Sequence, residues 1–138
     1  MMRPTPLIPP AAELREFPFT PLFRSRLFGS EFDAHADDSA WRAGVTLWLK
    51  SWDQKPAGSL PDDDVALCRL AGFGKDIQSW MAARKWALHG WIKCTDGRLY
   101  HPVVAEYVNA AGEKKIAQRN RTAAARVARQ AERMSVTD

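Results

Sequence analysis

Three consecutive aspartates, Asp62 to Asp64, are the residues whose type and spacing most suggest chemistry, because clustered carboxylates can hold a divalent cation or exchange protons. A cation site needs further ligands that converge on it, and the sequence holds no second acidic cluster and no HxxH-type histidine pair. Pro61 precedes the triplet and an aliphatic run follows it, which is typical of a helix start with Asp62 as the N-cap. We therefore expect the triplet to begin a helix.

The histidines and cysteines could in principle gather around zinc. However, the spacing of His89, Cys94 and His101 matches no standard zinc pattern. Cys68 and Cys94 form no CxxC pair, which indicates reduced thiols in a reducing compartment. No nucleophile elbow, P-loop or dinucleotide fingerprint occurs. The sequence therefore predicts a protein with no enzymatic activity, no metal and no cofactor.

These residues lie among four predicted helices. Apolar residues at helical spacing predict a first helix that begins near 37–39, and a loop over 54–59 separates it from the aspartate helix. A third helix has Asp76 as its N-cap and runs to about His89. A closing helix begins near Val103.

The stretch GWIKCTDGRLYH, residues 90–101, predicts a β-hairpin between the last two helices. Asp96 and Gly97 separate two strand-like runs, and this dipeptide favours a type I′ turn, in which both central residues have positive φ. Helices followed by such a hairpin are the layout of a winged helix, with the hairpin as the wing. The predicted fold is therefore mainly α with a small β-hairpin (α+β), a winged helix-turn-helix with a C-terminal basic helical extension.

The third helix divides into two sides at about 100° per residue. One side holds Ile77, Trp80, Met81, Arg84, Ala87 and Leu88. The other, which we expect to be offered to a partner, holds Gln78, Ser79, Ala82, Lys85 and Trp86.

Composition divides the chain into three parts. Six of the nine prolines fall within the first 21 residues, which predicts a flexible arm over 1–16. Residues 17–111 form the predicted winged-helix-like domain, and residues 112–138 form a basic tail that is helical or disordered. Residues 1–112 hold 13 basic and 13 acidic groups, whereas residues 113–138 hold 7 and 3, so the tail carries the whole net charge of +4.

If the tail is helical, one of its faces is a basic stripe. The residues of this stripe fall within about 40° of one line on the helix: Lys115, Arg119, Thr122, Arg126, Arg129 and Arg133. Small residues occupy the opposite face: Ala117, Ala124, Ala128 and Ala131.

Two stretches, SLPDDD and DGRLYHPVV, resemble a known family. With the segments around them they make residues Phe19 to Ala111 similar to the YdaU-like domain-of-unknown-function family of phages and prophages. The resemblance implies a winged-helix protein of replication-initiation-like character, encoded near phage replication genes, and it implies no reaction and no catalytic residues. Trp86 departs from the pattern, in which a smaller or polar residue is expected.

We expect a DNA-binding protein, a replication-initiation or regulatory accessory factor in the cytoplasm of a bacterial cell. Basic groups would neutralise phosphates, while Gln78, Ser79 or Lys85 would read base edges. The expected DNA contacts are Lys75, Gln78, Ser79, Lys85, Lys93, Arg98, Lys115, Arg119, Arg126, Arg129 and Arg133.

The alternative is a protein-interaction module with little DNA binding of its own. Its contact would be an exposed Trp86, because aromatic residues are enriched in interface hot spots. The expected partner is a replicative helicase, a helicase loader or a host defence protein. The zero net charge of residues 1–112 favours this alternative, and the basic tail favours DNA. No apolar run in the sequence approaches the length needed to cross a membrane.

Overall fold

The computed structural model describes residues 2–22 and 24–136, and in that part of the chain it holds six helices and three short strands. In chain order they are α1 (Arg24–Phe28), α2 (Glu31–His35), α3 (Asp38–Ser51), β1 (Ser59–Pro61), α4 (Asp64–Leu70), α5 (Ile77–Ala87), β2 (Ile92–Lys93), β3 (Arg98–Tyr100) and α6 (Pro102–Val136). The protein is mainly helical with a small antiparallel sheet, which confirms the predicted α+β class. Residues 137 and 138 of the predicted tail lie outside the described residues.

Aspartate side chains cap three of the helices. Asp37 and Asp76 are the N-caps of α3 and α5, and each accepts a backbone N–H three residues on, as predicted. The N-cap of α4 is Asp63, so the prediction of Asp62 was wrong by one residue. The reason is that Asp63 still has extended backbone, with φ −148° and ψ 119°, as an N-cap requires, so the helix begins one residue later.

The predicted hairpin forms, and a third strand joins it. Strand β3 pairs antiparallel with both β1 and β2, so the sheet order is β1-β3-β2. Leu60 of β1 lies opposite Leu99 of β3, and both side chains are buried. The extra strand starts at the last residue of the predicted loop 54–59, which is therefore one residue shorter than expected.

The hairpin turn differs from the predicted type I′. Gly97 has a φ of +80°, but no non-glycine residue among those described has a positive φ, so Asp96 does not share this conformation. The N–H of Gly97 donates to the C=O of Cys94, and the N–H of Cys94 donates to the C=O of Arg98, each at 3.0 Å. This is the three-residue connection with a glycine in the left-handed region. The Asp96 carboxylate accepts the N–H of Arg98 at 3.0 Å and stabilises this form.

The core lies where α3, α4 and α5 meet the sheet. Its largest fully buried side chains include Trp80 of α5, Tyr100 of β3 and Leu47 of α3. Tyr100 donates its hydroxyl to Asp96 at 2.6 Å, and burial is the main cause that raises its pKa, followed by this hydrogen bond. The core therefore fixes α5 and the hairpin relative to each other.

The buried face of α5 is narrower than the predicted side. Trp80, Ala83 and Ala87 are buried, whereas Ile77 is 40% exposed and Met81 is 51% exposed. Because alanines line the face that packs on α3, the two helices approach closely and the edge residues of the predicted side remain outside.

Residues 6–14 pack against the body, whereas the sequence predicted a flexible arm over 1–16. Ile8 is 1% exposed and Leu14 is 2% exposed. The N–H of Thr95 in the hairpin turn donates to the C=O of Pro4 at 2.9 Å. A proline-rich segment has few backbone donors and few internal hydrogen bonds, so several of its carbonyls pair with donors of the body.

Helix α6 joins the predicted closing helix and the tail into one helix of 35 residues. Val104 and Val108, in its first turns, are buried against the body. Residues 117–135 are all exposed, and at 1.5 Å per residue they span roughly 28 Å. The backbone has no break at the predicted boundary between 111 and 112. We call residues 117–135 the projecting part of α6.

Candidate nucleic-acid interface

The basic stripe continues the face by which α6 packs on the body. Val104, Val108 and Ala111 pack toward the core at spacings of three and four. The same spacing leads on to Lys115 and Arg119, and then to the arginines of the projecting part. Because α6 is one helix, the packing of its first turns sets the direction in which the stripe faces.

Three arginines of the stripe are exposed and unpaired within the described residues. Arg119, Arg126 and Arg129 make no ion pair with any residue that the structure describes. Lys115 differs, because its ammonium donates to the C=O of Glu13 at 3.0 Å and holds the N-terminal segment against the helix. The three arginines therefore keep their charge available to an anion from solvent.

A groove separates α5 from strands β2 and β3, so the predicted wing lies beside the predicted recognition helix. The groove encloses about 630 Å³ and is lined by Asp62, Met81, Arg84, Lys85, Leu88, Trp91, Lys93 and Leu99. Two of the expected DNA contacts, Lys85 and Lys93, come together here.

Carboxylates of the aspartate triplet neutralise most of the basic charge in this groove. The ammonium of Lys93 lies 2.8 Å from the carboxylate of Asp62, and the Nε of Arg84 lies 2.7 Å from that of Asp64. Lys85 has no carboxylate partner within the described chain, and its ammonium lies 5.8 Å from the ring centroid of Trp86. Sequence reasoning missed these pairs because no periodic pattern links residues so far apart in the chain.

The contacts of Asp64 distinguish a structural role for the aspartate triplet from a chemical one. Its carboxylate accepts the indole N–H of Trp80 at 2.9 Å and the Nε–H of Arg84 at 2.7 Å. The hydrogen bond from Trp80, followed by that from Arg84, lowers the pKa of Asp64. An ionised carboxylate with two donors from α5 is a brace between helices, not a group poised to exchange protons near neutral pH.

The remaining candidates on α5 differ in their availability. Lys75 and Gln78 are exposed at the start of the helix. Ser79 is half-buried, and its hydroxyl donates to the carboxylate of Asp76 at 2.6 Å. This hydrogen bond, with the one from the backbone of Ser79, lowers the pKa of Asp76. Ser79 therefore takes part in the helix cap.

Arg98 is held inside the fold. Its Nε donates to the hydroxyl of Ser59 at 2.8 Å, and its Nη2 donates to the side-chain oxygen of Gln54 at 3.0 Å. The guanidinium therefore ties the hairpin to the start of β1, although the sequence suggested a wing contact.

Trp86 is half-buried, whereas the sequence suggested an exposed contact point. Its ring stacks on His35 with centroids 5.2 Å apart and lies 4.9 Å from the ring of His89. These neighbours come from α2 and from the residues after α5, and they cover much of the indole.

His101 lies at the joint between β3 and α6. It is 9% exposed, and its ring centroid is 4.9 Å from that of Trp48 and 5.6 Å from that of Trp91. Its Nδ1 accepts the N–H of Val103 at 3.2 Å, so the imidazole satisfies a free donor at the helix start. Burial, followed by the charges of a nearby histidine and arginine, lowers the pKa of His101 to about 4.

Within residues 2–22 and 24–136, no three histidine, cysteine, aspartate or glutamate side chains come together as a metal site would require. None of the helices described there combines the length and the apolar character needed to cross a bilayer.

These observations define a class of protein. It is a small helical domain with a three-stranded sheet, a groove beside its hairpin and a projecting basic helix. Residues 34–109, more than half of the chain, match the family described as "Protein of unknown function (DUF1376)", and the protein belongs to this family. The matched region contains the groove and ends before the stripe. No curated protein and no solved structure matches the chain.

Proposed function

We propose that the protein binds DNA and that the basic stripe of α6 supplies most of its attraction to phosphate. The observation that carries this proposal is the line of exposed arginines, Arg119, Arg126 and Arg129, which have no carboxylate partner among the described residues. Guanidinium groups on a helix present planar donors to phosphate oxygens, and the phosphates that they neutralise release counterions. The affinity therefore comes mainly from charge and falls steeply with salt.

The body supports the proposal through its shape more than its charge. Helices α4 and α5 precede the hairpin, and β1 completes the sheet beside it. We interpret this order as a winged helix-turn-helix, in which the second of the two helices enters the major groove. Lys75, Gln78 and Lys85 are exposed along α5 and supply donors for phosphates and base edges.

The setting that we propose is phage or prophage replication, in which the protein acts as an initiation or regulatory accessory factor. The support for this setting is the resemblance of the SLPDDD and DGRLYHPVV stretches to the phage-associated family.

Two double variants with the same loss of charge test the stripe. Arg126→Gln with Arg129→Gln removes two positive charges from the stripe, and Lys114→Gln with Arg121→Gln removes two from the other side of α6. Binding to a labelled duplex is measured by fluorescence anisotropy over a series of salt concentrations. We expect the stripe variant to lower the salt slope by about 2, because each phosphate contact contributes roughly 0.9. The control variant should keep the slope of the unchanged protein.

Equal losses in the two variants would mean that net charge alone governs binding and would contradict the stripe. Absence of binding by the unchanged protein at low salt would contradict the whole DNA-binding proposal.

A second candidate function is protein binding in the groove, and the pairing of its charges favours it. The cations of Arg84 and Lys93 are already neutralised by carboxylates, which weakens the attraction of the groove to phosphate. Met81 is exposed at its edge, and the buried indole N–H of Trp91 has no acceptor among the described residues. A peptide segment could supply that acceptor and cover the apolar lining. A helicase, a helicase loader or a host defence protein remains the proposed partner.

This candidate is separated from DNA binding by two glutamate substitutions on neighbouring residues of α5. Met81→Glu places a charge at the groove, and Ala82→Glu places the same charge on the exposed face beside it. A groove partner, captured from host lysate and quantified by mass spectrometry, should be lost with Met81→Glu and retained with Ala82→Glu. If both variants retain the same proteins, the groove does not bind them.

A further inference from the structure

In addition to its basic stripe, α6 has a seam of regularly spaced residues over 116–134, half of them large apolar side chains. Residues spaced alternately by four and three fall on one line of the helix: Ile116, Asn120, Ala123, Val127, Gln130 and Met134. Ile116 is 56% exposed, Val127 is 66% exposed and Met134 is 65% exposed. Such a spacing over nearly three heptads is the pattern of a coiled-coil seam, with Asn120, Val127 and Met134 at a and the others at d.

Residues 117–135 bury no side chain against the body, so no tertiary packing stabilises this part of α6. We infer that the seam pairs with the same seam of a second copy of this chain, as a parallel two-stranded coiled coil over residues 116–134. The inference goes beyond the proposed DNA binding and does not depend on it.

The polar residues in the seam point to a second copy as the occupant. Asn120 and Gln130 would be buried by any partner helix, and a buried amide without a partner costs about 1–3 kcal/mol. An amide both donates and accepts, so two identical amides placed opposite each other satisfy one another. A parallel, in-register pair of this chain brings Asn120 against Asn120, and a single asparagine at a is known to fix register and two-strand association.

The residues that flank the seam favour the parallel direction. Arginines occupy the g positions, at 119, 126 and 133, and alanines occupy the e positions, at 117, 124 and 131. In a parallel pair each g residue faces the e residue five positions on in the partner, so Arg119 and Arg126 lie opposite alanines. In an antiparallel pair g faces g, which would place arginine against arginine and repel the chains.

The body does not obstruct this pairing. The face formed by Val104 and Val108 lies about 100° around the helix from the seam, which places each body to one side of it. A twofold axis along the seam would put the two bodies on opposite sides. The basic stripe occupies the c and g positions, so it remains at the surface of the pair and each copy can still meet phosphate.

The test is the mass of the full chain in solution, measured without DNA by analytical ultracentrifugation over a wide range of concentration. The expected mass rises from the 15.5 kDa of one chain to twice that value. Because alanine and glutamine occupy two of the seam positions, the rise should be gradual and reversible. Val127→Glu, which buries charge in the seam, should remain at the mass of one chain. Ala125→Glu, which adds the same charge on the side away from the seam, should associate like the unchanged protein.

Three outcomes would overturn the inference. The unchanged protein would remain at the mass of one chain at every concentration, or Val127→Glu would associate as before, or Ala125→Glu would abolish association as fully as Val127→Glu does. Circular dichroism shows whether each variant keeps the folded body. If the chain does not pair, the proposed function still stands, because DNA binding by the stripe is measured in a separate experiment.

Engineered cysteines test the direction of the pair. Oxidation of Met134→Cys should link two chains in a parallel pair, whereas an equal mixture of Ile116→Cys and Met134→Cys should give the mixed dimer only in an antiparallel pair. The natural Cys68 and Cys94 are buried and serve as the background in the unchanged protein. Abundant mixed dimer without linkage of Met134→Cys to itself would contradict the parallel arrangement.

Discussion

The groove and the projecting part of α6 both carry basic side chains, but only in the groove are most of these opposed by carboxylates. Lys93 meets Asp62 and Arg84 meets Asp64, each from a distant part of the chain, whereas Arg126 of α6 is exposed and makes no ion pair with a described residue. A folded body can bring opposite charges together, and a helix that leaves the body cannot. The comparison indicates that most cations of the groove are already neutralised within the fold, while the arginines of α6 keep the charge that the proposed DNA binding requires.

Removal of the projecting part should have the largest effect. A chain that ends after Ile116 keeps the hydrogen bond from Lys115 to Glu13 and loses the arginines beyond it. We expect the affinity for duplex DNA at low salt to fall by about a hundredfold, the scale of roughly four phosphate contacts. Anisotropy over a salt series measures both the loss and the flatter slope.

The thermal midpoint of the truncated chain should stay close to that of the full chain, because residues 117–135 bury nothing against the body. If the truncated chain binds DNA as tightly as the full chain, the stripe is not the DNA interface, and the groove becomes the candidate instead.

The joint between the two regions should respond to pH. The pKa of His101 is about 4 in the folded protein and 6.5 in the unfolded chain, so the unfolded chain takes up the proton first as pH falls. Stability is therefore complete above about pH 6.5 and declines between pH 6.5 and 4, by up to about 3 kcal/mol. His101→Asn keeps an acceptor for the N–H of Val103 but does not titrate, so its free energy of unfolding should vary less over this range.

Urea unfolding at a series of pH values checks this prediction. His35→Asn, which replaces an exposed histidine of α2, is the control and should retain the pH dependence. An identical pH profile for His101→Asn and the unchanged protein would show that the buried imidazole is not the cause.

The brace in the body should give a smaller effect. Asp64→Ala leaves the indole N–H of the fully buried Trp80 without its acceptor, and we expect a loss of about 1–3 kcal/mol in the free energy of unfolding. The ion pair with Arg84 is partly exposed, so it adds little after solvent screening. Asp64→Asn, which can still accept a hydrogen bond, should lose less. Equal losses for the two variants would show that charge, not hydrogen bonding, makes the brace.

The smallest effect is expected from Asp62→Asn. This variant tests most directly whether a carboxylate weakens the attraction of the groove to DNA. Asp62→Asn releases the ammonium of Lys93, so the groove becomes more basic while stability changes by less than about 1 kcal/mol. DNA affinity should rise slightly, and Lys93→Ala should not produce that rise. If Asp62→Asn weakens DNA binding, the pair itself contributes to the interface. Arg98 is unsuitable for such a test because its two internal hydrogen bonds would be lost as well.

Much of the local structure could be predicted from the sequence because its causes are local. The helix starts at Asp37 and Asp76 and the hairpin around Gly97 all follow from side chains within a few residues of each other. The sequence left the tail as helical or disordered, and the structure makes residues 112–136 the end of α6. The turn type could not be predicted in the same way. An Asp-Gly dipeptide suits both a two-residue and a three-residue connection, and the hydrogen bond from the N–H of Arg98 to the Asp96 carboxylate stabilises the longer one.

The sequence by itself determined the four main helices, the hairpin, the zero net charge of the first 112 residues and the stripe of arginines that a helical tail would carry. It did not predict the short helices α1 and α2. Only the tertiary structure decided which of those charges are neutralised by ion pairs, that residues 6–14 pack on the body, and toward which side α6 turns its stripe. The physical reason is that periodicity and capping act over one or two helical turns, whereas Asp64 meets Trp80 and Lys93 meets Asp62 only after distant segments have packed together.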